Sequence, residues 1–308
     1  MDEQDVLGAD YESIRLTFED DAEGEVVATL VRRRAPGRKA VLYVHGFVDY
    51  FFQAHLADFY VERGYSFYAL DLRKYGRSLL PHQTPNFARS MSDYFPEIDE
   101  AVRLIREEND VLLLNGHSTG GLIAALWADR VKGQGLVDGL FLNSPFLELN
   151  VPAPVRALVG PLVRAAAKVR PTMVFPTGVS ESYVRSIHRD HDGEWDFDLA
   201  WKPARGFPVR LGWLSAVMRA HRQTHTGLAI DVPVLVMASA RTARGKNGDV
   251  NGADVVLDVD DIARWSTRLG PHVTCVRVDG GLHDLALSAE PVRKKFFTEL
   301  DRWMTAYM

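Results

Sequence analysis

The chain of 308 residues holds one cysteine, Cys275. That excludes an intrachain disulfide and a cysteine-rich metal site, and it fits a reducing compartment, so the expected location is cytoplasmic. Positive charge is not in excess either: 36 Lys and Arg stand against 41 Asp and Glu, a net charge of −5. Nucleic-acid binding relies on basic patches that neutralise phosphates, so no nucleic-acid partner is expected. The first twelve residues, MDEQDVLGADYE, carry five acids and no base, which lacks the basic start of a secretory signal. Residues 111–128 form an eighteen-residue stretch without formal charge, close to the length of a membrane span. Its middle, Asn115 to Gly121, is polar and glycine-rich, so it reads as a buried strand, a turn and a buried helix. No stable membrane insertion is expected.

What is present is an ordinary globular mixture, 46% apolar and 25% charged. Residues 11–18 and 25–33 alternate enough to read as antiparallel, partly exposed strands. Six further runs, 40–45, 65–70, 111–115, 137–143, 234–238 and 273–278, are more uniformly apolar, as strands covered on both faces should be. Helical stripes fill the gaps. Phe52, Leu56, Phe59 and Tyr60 share a face that Gly64 closes, and Ile98, Val102 and Ile105 follow Ser92 or Asp93 as N-cap. Leu122, Ala125 and Leu126 follow a Gly-rich turn, and Val292, Phe296, Leu300 and Trp303 follow Pro291. Alternation of strand and helix indicates a mostly parallel α/β sheet.

Between about residues 145 and 230 the alternation stops. These 86 residues hold eight of the fifteen prolines and three of the six tryptophans. Two helical pieces are expected there, 155–169 and 212–225. A segment of this size, leaving after one core strand and returning before the next, reads as a cap.

The strongest chemical signal is Gly116-His117-Ser118-Thr119-Gly120, between the strand VLLLN and the helix GLIAALWADR. A serine on a sharp strand-to-helix turn exposes its hydroxyl above the sheet, and close backbone approach leaves room only for small residues two before and two after. No Lys-Ser or Lys-Thr pair follows to make a P-loop. A serine needs a base, and the base an orienting acid. His283, after the last strand and behind Gly280 and Gly281, is the base. His45 and His117 flank turn glycines, where local hydrogen bonding is the expected role. His188 and His191 make too weak a pattern for metal. The acid should follow VPVLVMASA, where Asp249, Asp254, Asp258, Asp260 and Asp261 crowd one loop. Asp260 and Asp261 suit the start of a helix. Asp254 is the choice, with Asp258 and then Asp249 as alternatives. Two backbone N–H groups should serve the oxyanion: Thr119, after the nucleophile, and Phe47, in the Val44-His45-Gly46-Phe47 loop.

The chain order Ser118, Asp254, His283, the HGF loop and the GHSTGG turn resemble the α/β-hydrolase superfamily. Within it they are similar to the monoacylglycerol lipase, lysophospholipase and serine aminopeptidase (S33-type) branch. The stretch 71–78, DLRKYGRS, is similar to that branch's D-x-R-G-x-G-x-S loop, with Lys74 in place of the first glycine, a change expected to alter local backbone shape. The resemblance covers 11–144 and 231–308. It implies a mostly parallel eight-stranded sheet flanked by helices, with a largely helical cap inserted after the sixth strand: core 1–144 and 231–308, cap 145–230. It also implies a serine esterase or lipase-type enzyme without metal or organic cofactor, acting on a small-molecule ester.

Apolar cap residues, Val155 to Val169 with Phe175, Trp195, Phe197, Trp201, Phe207 and Trp213, should pack the cap and in part line an acyl pocket. Monoacylglycerol-like or short-to-medium acyl esters are the expected substrates. The runner-up is an aminopeptidase, which would need cap acids such as Glu181, Glu194, Asp196 or Asp198 to hold a free amine. A non-catalytic ligand-binding protein is the third reading. Arg241, Arg244 and Lys246 lengthen the loop before Asp254 and are expected to be solvated.

Overall fold

The computed structural model describes residues 3–176, 181–243 and 252–308. Nine strands form one sheet: β1 Glu3–Asp5, β2 Gly8–Asp21, β3 Gly24–Arg33, β4 Lys39–Val44, β5 Tyr65–Asp71, β6 Val111–His117, β7 Gly139–Asn143, β8 Val234–Ser239 and β9 Val273–Val278. Their order is β1-β2-β3-β5-β4-β6-β7-β8-β9. The first three pair antiparallel, β3 meets β5 antiparallel, and the other neighbours are parallel. Eight strands were expected. The ninth, β1, is three polar residues with no apolar pattern, and it is tied down by charge: Asp5 accepts from Ser13 Oγ at 2.5 Å and from Arg77 Nε and Nη2, each at 2.7 Å.

The period of two along the strands sorts side chains onto two faces. Leu42, Leu114, Leu140 and Val236 point into one core with α2 (Phe95–Glu108) and α3 (Thr119–Arg130). Val41, Tyr43, Leu113 and Phe141 point into the other, covered by α1 (Ala54–Val61) and α8 (Glu290–Tyr307). Truncating such a buried leucine to alanine costs about 2–5 kcal/mol. Two strands depart from expectation. β3 is buried on both faces from Val26 to Val31, and β9 lies at the sheet edge with Cys275 and Arg277 exposed. The N-cap before α2 also moves. Ser90, in a reciprocal capping box with Asp93, starts a short 3-10 turn, Met91–Tyr94, that runs into α2.

The segment after β7 carries α4 (Ala153–Val169), α5 (Glu181–Ile187) and α6 (Leu211–Thr226), and the chain re-enters the sheet at β8. α4 packs on α6. Its apolar stripe does not turn inward as a whole: Val163 is buried, whereas Leu158 is 74% and Leu162 66% exposed. A further helix, α7 (Val259–Ser266), precedes β9, and Asp258 caps it by accepting from Asp260 N at 3.0 Å.

Connections reverse direction at β4. The chain moves from β4 to β5 on one side, then crosses to β6 on the other. The crevice beyond the carboxyl ends of β4 and β6 is therefore the topological switch point, where open parallel sheets place their ligands.

Candidate active site

Both loops at that crevice are shaped by close backbone packing. Ser118 sits between β6 and α3 at φ 52°, ψ −118°, a left-handed conformation that costs a non-glycine residue free energy. Its N–H donates to Asn143 O at 3.0 Å, and its carbonyl accepts from Phe146 N at 2.9 Å and Leu122 N at 3.2 Å. The flanking glycines are sterically required. A Cβ on Gly116 would lie 2.7 Å from Gly120 O, and one on Gly120 would collide with the Val44 and His45 carbonyl oxygens.

The turn brings Ser118 Oγ to 3.0 Å from His283 Nε2, and His283 Nδ1 to 2.9 Å from Asp254 Oδ2. All three are buried, Asp254 completely. The second Asp254 oxygen accepts from Val256 N at 2.7 Å and Leu257 N at 2.8 Å, which fixes the carboxylate plane. With Asp254 ionised, His283 Nδ1–H donates to it and Nε2 is left to accept from the serine hydroxyl. Of the alternatives, Asp258 spends its carboxylate on the α7 cap, and Asp249 lies outside the described residues, as do Arg244 and Lys246. Asp260 pairs with Arg277 at 2.7 Å.

Phe47 and Thr119 bound the same crevice, and neither backbone N–H donates to a protein acceptor among the described residues. Below them the 71–78 loop acts as a buttress. Asp71 accepts from Phe51 N at 3.0 Å and from Arg77 Nη1 at 2.9 Å, and Arg77 also donates to Phe51 O at 2.9 Å. Lys74 takes φ 66°, in the left-handed region that favours glycine, and its buried ammonium pairs with Asp21 at 2.7 Å and Glu23 at 2.5 Å.

A cavity of about 310 Å³ opens onto Ser118. One wall is apolar, formed by Phe146, Leu149, Val209, Trp213 and Leu214, with Val255 to Leu257 beside them. Trp213 packs on Phe47 with ring centroids 4.0 Å apart. Of the aromatic residues expected to line a pocket, Trp213 does. Trp195, Phe197 and Trp201 instead form a satellite cluster with Tyr50 and Phe52.

The site also holds polar groups that sequence reasoning did not single out, Asp49, Tyr183 and Lys202 lining the cavity and Asp284 beside the base. Tyr183, from α5, accepts from Asp284 N at 3.1 Å, and burial pushes its hydroxyl well above the ordinary tyrosine range, so it stays protonated. Asp49 Oδ1 and Lys202 Nζ form an ion pair at 2.6 Å. Burial favours the neutral form of Asp49, but the charge and hydrogen bond of Lys202, together with the nearby His117 and His45, outweigh it and hold this carboxyl below its usual range. Asp284, next to the base, accepts from Gln53 Nε2 at 3.1 Å and Asn143 Nδ2 at 2.8 Å. The only early signal for any of these was position: Asp49 closes the HGFVD turn, and Asp284 follows His283.

Three further histidines are held by backbone groups. His45 donates from Nδ1 to Gly46 O at 2.8 Å and accepts at Nε2 from Leu72 N at 3.1 Å. His117 Nδ1 meets Asn143 O at 3.1 Å, and burial lowers its pKa. Both nitrogens of His188 are taken by backbone groups, Phe197 O and Asp190 N, each at 3.1 Å.

A mostly parallel, helix-flanked sheet with a serine on the β6–α3 turn, a late histidine and an intervening aspartate defines an α/β-hydrolase architecture. Residues 35–287 match the family described as serine aminopeptidase, S33, and the chain belongs to that family. Many solved structures share the fold, among them the three that follow. A soluble variant of monoglyceride lipase from Saccharomyces cerevisiae, in complex with a substrate analog, is 17% identical, with TM-score 0.66 over 96% of this chain and 97% of that one. The monoacylglycerol lipase of Paleococcus ferrophilus is also 17% identical, with TM-score 0.66 over 96% and 100%. A thermostable carboxyl esterase from Bacillus coagulans, in complex with glycerol, is 14% identical, with TM-score 0.66 over 96% and 98%. No curated protein matches the chain significantly by sequence.

Proposed function

We propose that this protein hydrolyses small carboxylic esters through an acyl-enzyme on Ser118. His283 takes the serine proton as Oγ attacks the carbonyl carbon, then gives it to the departing alcohol. In the second half it takes a proton from water, whose oxygen attacks the acyl carbon, and then returns that proton to Ser118 Oγ as the acyl–oxygen bond breaks and the acid leaves. Asp254 keeps the imidazole in the productive tautomer and stabilises its cation. The Phe47 and Thr119 N–H groups receive the oxyanion. One such donor is worth about 2.7–4 kcal/mol of transition-state stabilisation. Residues 145–230 serve as the cap on a core made of 1–144 and 231–308, and supply Trp213, Leu214 and Val209 to the acyl wall.

The observation that carries this reading is the unbroken Ser118–His283–Asp254 relay facing a predominantly apolar cavity. An apolar wall gains about 25 cal/mol for each Å² of acyl surface it takes from water, so acyl chains are favoured over polar residues. The neighbouring monoacylglycerol lipases and the carboxyl esterase agree with ester chemistry, and the substrates proposed are monoacylglycerol-like or short-to-medium acyl esters. Against the aminopeptidase reading stands the placement of the cap acids. Among the described residues lining the cavity, the sole Asp or Glu is Asp49, already paired with Lys202. Glu194 pairs with Arg293 and Asp196 with Arg189, each at 2.9 Å, and Asp198 accepts from Ala200 N at 2.7 Å. Glu181 faces Arg185 and Arg205, each at 3.7 Å.

The test is a p-nitrophenyl ester series of increasing acyl length beside aminoacyl p-nitroanilides. Turnover of the esters with an optimum at short-to-medium chains supports the reading. Release of N-terminal residues with negligible ester turnover reverses it in favour of the peptidase.

A further inference from the structure

The Asp49–Lys202 pair joins two distant parts of the chain at the cavity wall. Asp49 follows the HGF turn after β4. Its Oδ1 meets Lys202 Nζ, and its Oδ2 accepts from Gly46 N at 3.5 Å. Gly46 in turn backs onto the nucleophile: a Cβ built on it would lie 3.1 Å from Ser118 Cβ. Lys202 belongs to the inserted segment, where its N–H donates to Asp198 O at 2.9 Å. Its ammonium lies 5.6 Å from the Phe52 ring centre and 5.8 Å from that of Phe197, a cation between two aromatic faces. Both residues are more than nine-tenths buried, and both line the cavity that holds Ser118, Thr119 and His283.

A buried carboxylate so close to the nucleophile needs a cation, because an unpaired buried charge is strongly disfavoured. Two sources could supply it: a side chain of the protein, or an ammonium on the substrate. The α-ammonium of an aminoacyl group is two bonds from the carbonyl carbon under attack, which places it in the cavity that Asp49 and Lys202 line beside Ser118. Here the position is filled from within. We propose that Lys202 is a specificity-determining residue: its ammonium occupies a carboxylate subsite that would otherwise take the α-ammonium of an aminoacyl substrate, so the cavity admits uncharged acyl groups and rejects free-amine ones. This inference rests on the ester-hydrolase reading and deepens it by naming the excluded substrate class.

Lys202→Ala removes three carbons and the ammonium, and n-propylammonium carries the same atoms. Wild type, Lys202→Ala and the double variant Lys202→Ala/Asp49→Asn are compared in two measurements. The first is the ratio of kcat/KM for p-nitrophenyl L-alanyl and propionyl esters, which differ in the α-amine. The second is the Tm in n-propylammonium chloride against equal sodium chloride. The expected result is a ratio raised about ten- to a hundredfold in Lys202→Ala, the worth of one hydrogen bond between charged groups. The ratio returns towards the wild-type value in the double variant. Propylammonium should raise the Tm of Lys202→Ala and of neither other protein.

An unchanged ratio in a Lys202→Ala protein that propylammonium stabilises overturns the specificity role. The absence of stabilisation overturns the subsite. So does failure of Lys202→Ala to fold with propylammonium present, since the ligand restores both charge and volume. If propylammonium stabilises Lys202→Ala but no variant or wild type hydrolyses either ester, the subsite stands and the hydrolase reading falls.

Discussion

Asp254→Asn separates the orienting role of the acid from its structural one. Asp254 Oδ1 accepts from Val256 N and Leu257 N, whereas Oδ2 faces His283 Nδ1 alone. An asparagine at this position would keep its carbonyl oxygen on the two backbone donors, because turning its NH₂ towards them would set donor against donor. The NH₂ must then point at His283 Nδ1 and donate to it. That forces the imidazole proton onto Nε2, where it faces Ser118 Oγ and the ring no longer accepts from the serine. A triad whose histidine is held in the wrong tautomer loses about 10⁴ in kcat, equivalent to about 5 kcal/mol of barrier. Stability should move by only about 1 kcal/mol, since both backbone hydrogen bonds survive. Stopped-flow and steady-state turnover of a p-nitrophenyl ester read the first effect, and urea unfolding reads the second. A fall of less than about tenfold in kcat in a stably folded variant would refute the assignment of Asp254.

Three further outcomes follow from particular contacts. Gly120→Ala drives a methyl into the Val44 and His45 carbonyl oxygens and should cost about 4 kcal/mol or more, beyond the common range for single substitutions, as a lowered urea midpoint. Trp213→Ala opens the acyl wall beside Phe47. It should shift the preferred chain upward and lower kcat/KM for the shortest esters about tenfold, the scale on which a hydrophobic pocket discriminates; an unchanged chain profile would place the acyl group elsewhere. Burial drives the His221 pKa down to about 3, with Nε2 donating to Phe146 O at 2.8 Å. A depressed histidine leaves the unfolded chain holding more protons. Its stability contribution is therefore full above about pH 6.5 and declines by up to about 1.4 kcal/mol per pH unit as pH falls towards the folded value. NMR titration of the His221 ring should show no protonation near pH 6.

The parts of the site that were legible in the sequence are those enforced locally. Gly116 and Gly120 are required by backbone approach across one turn, so the residues around Ser118 announce their geometry without reference to the rest of the chain. The position of His283 follows from order along the sheet. Asp254 was harder, since five carboxylates share a loop and their separation depends on α7, whose N-terminus takes Asp258. Lys202 could not be read at all. It lies in a segment with no strand or helix period, and its partner is 153 residues away. The same distance effect hid β1, three polar residues held by Arg77. It also misdirected the reading of α4, where an apolar stripe of the kind that lines pockets turns Leu158 and Leu162 to solvent instead.

The central claim is that Ser118 is a nucleophile activated by His283. The most direct measurement is treatment with a fluorophosphonate probe and location of the adduct by peptide mass spectrometry, with ester turnover of Ser118→Ala alongside. The account predicts a single adduct on Ser118, and neither labelling nor turnover in Ser118→Ala. An unlabelled wild type that turns over no ester would contradict it, and would leave a ligand-binding protein built on this fold as the better description.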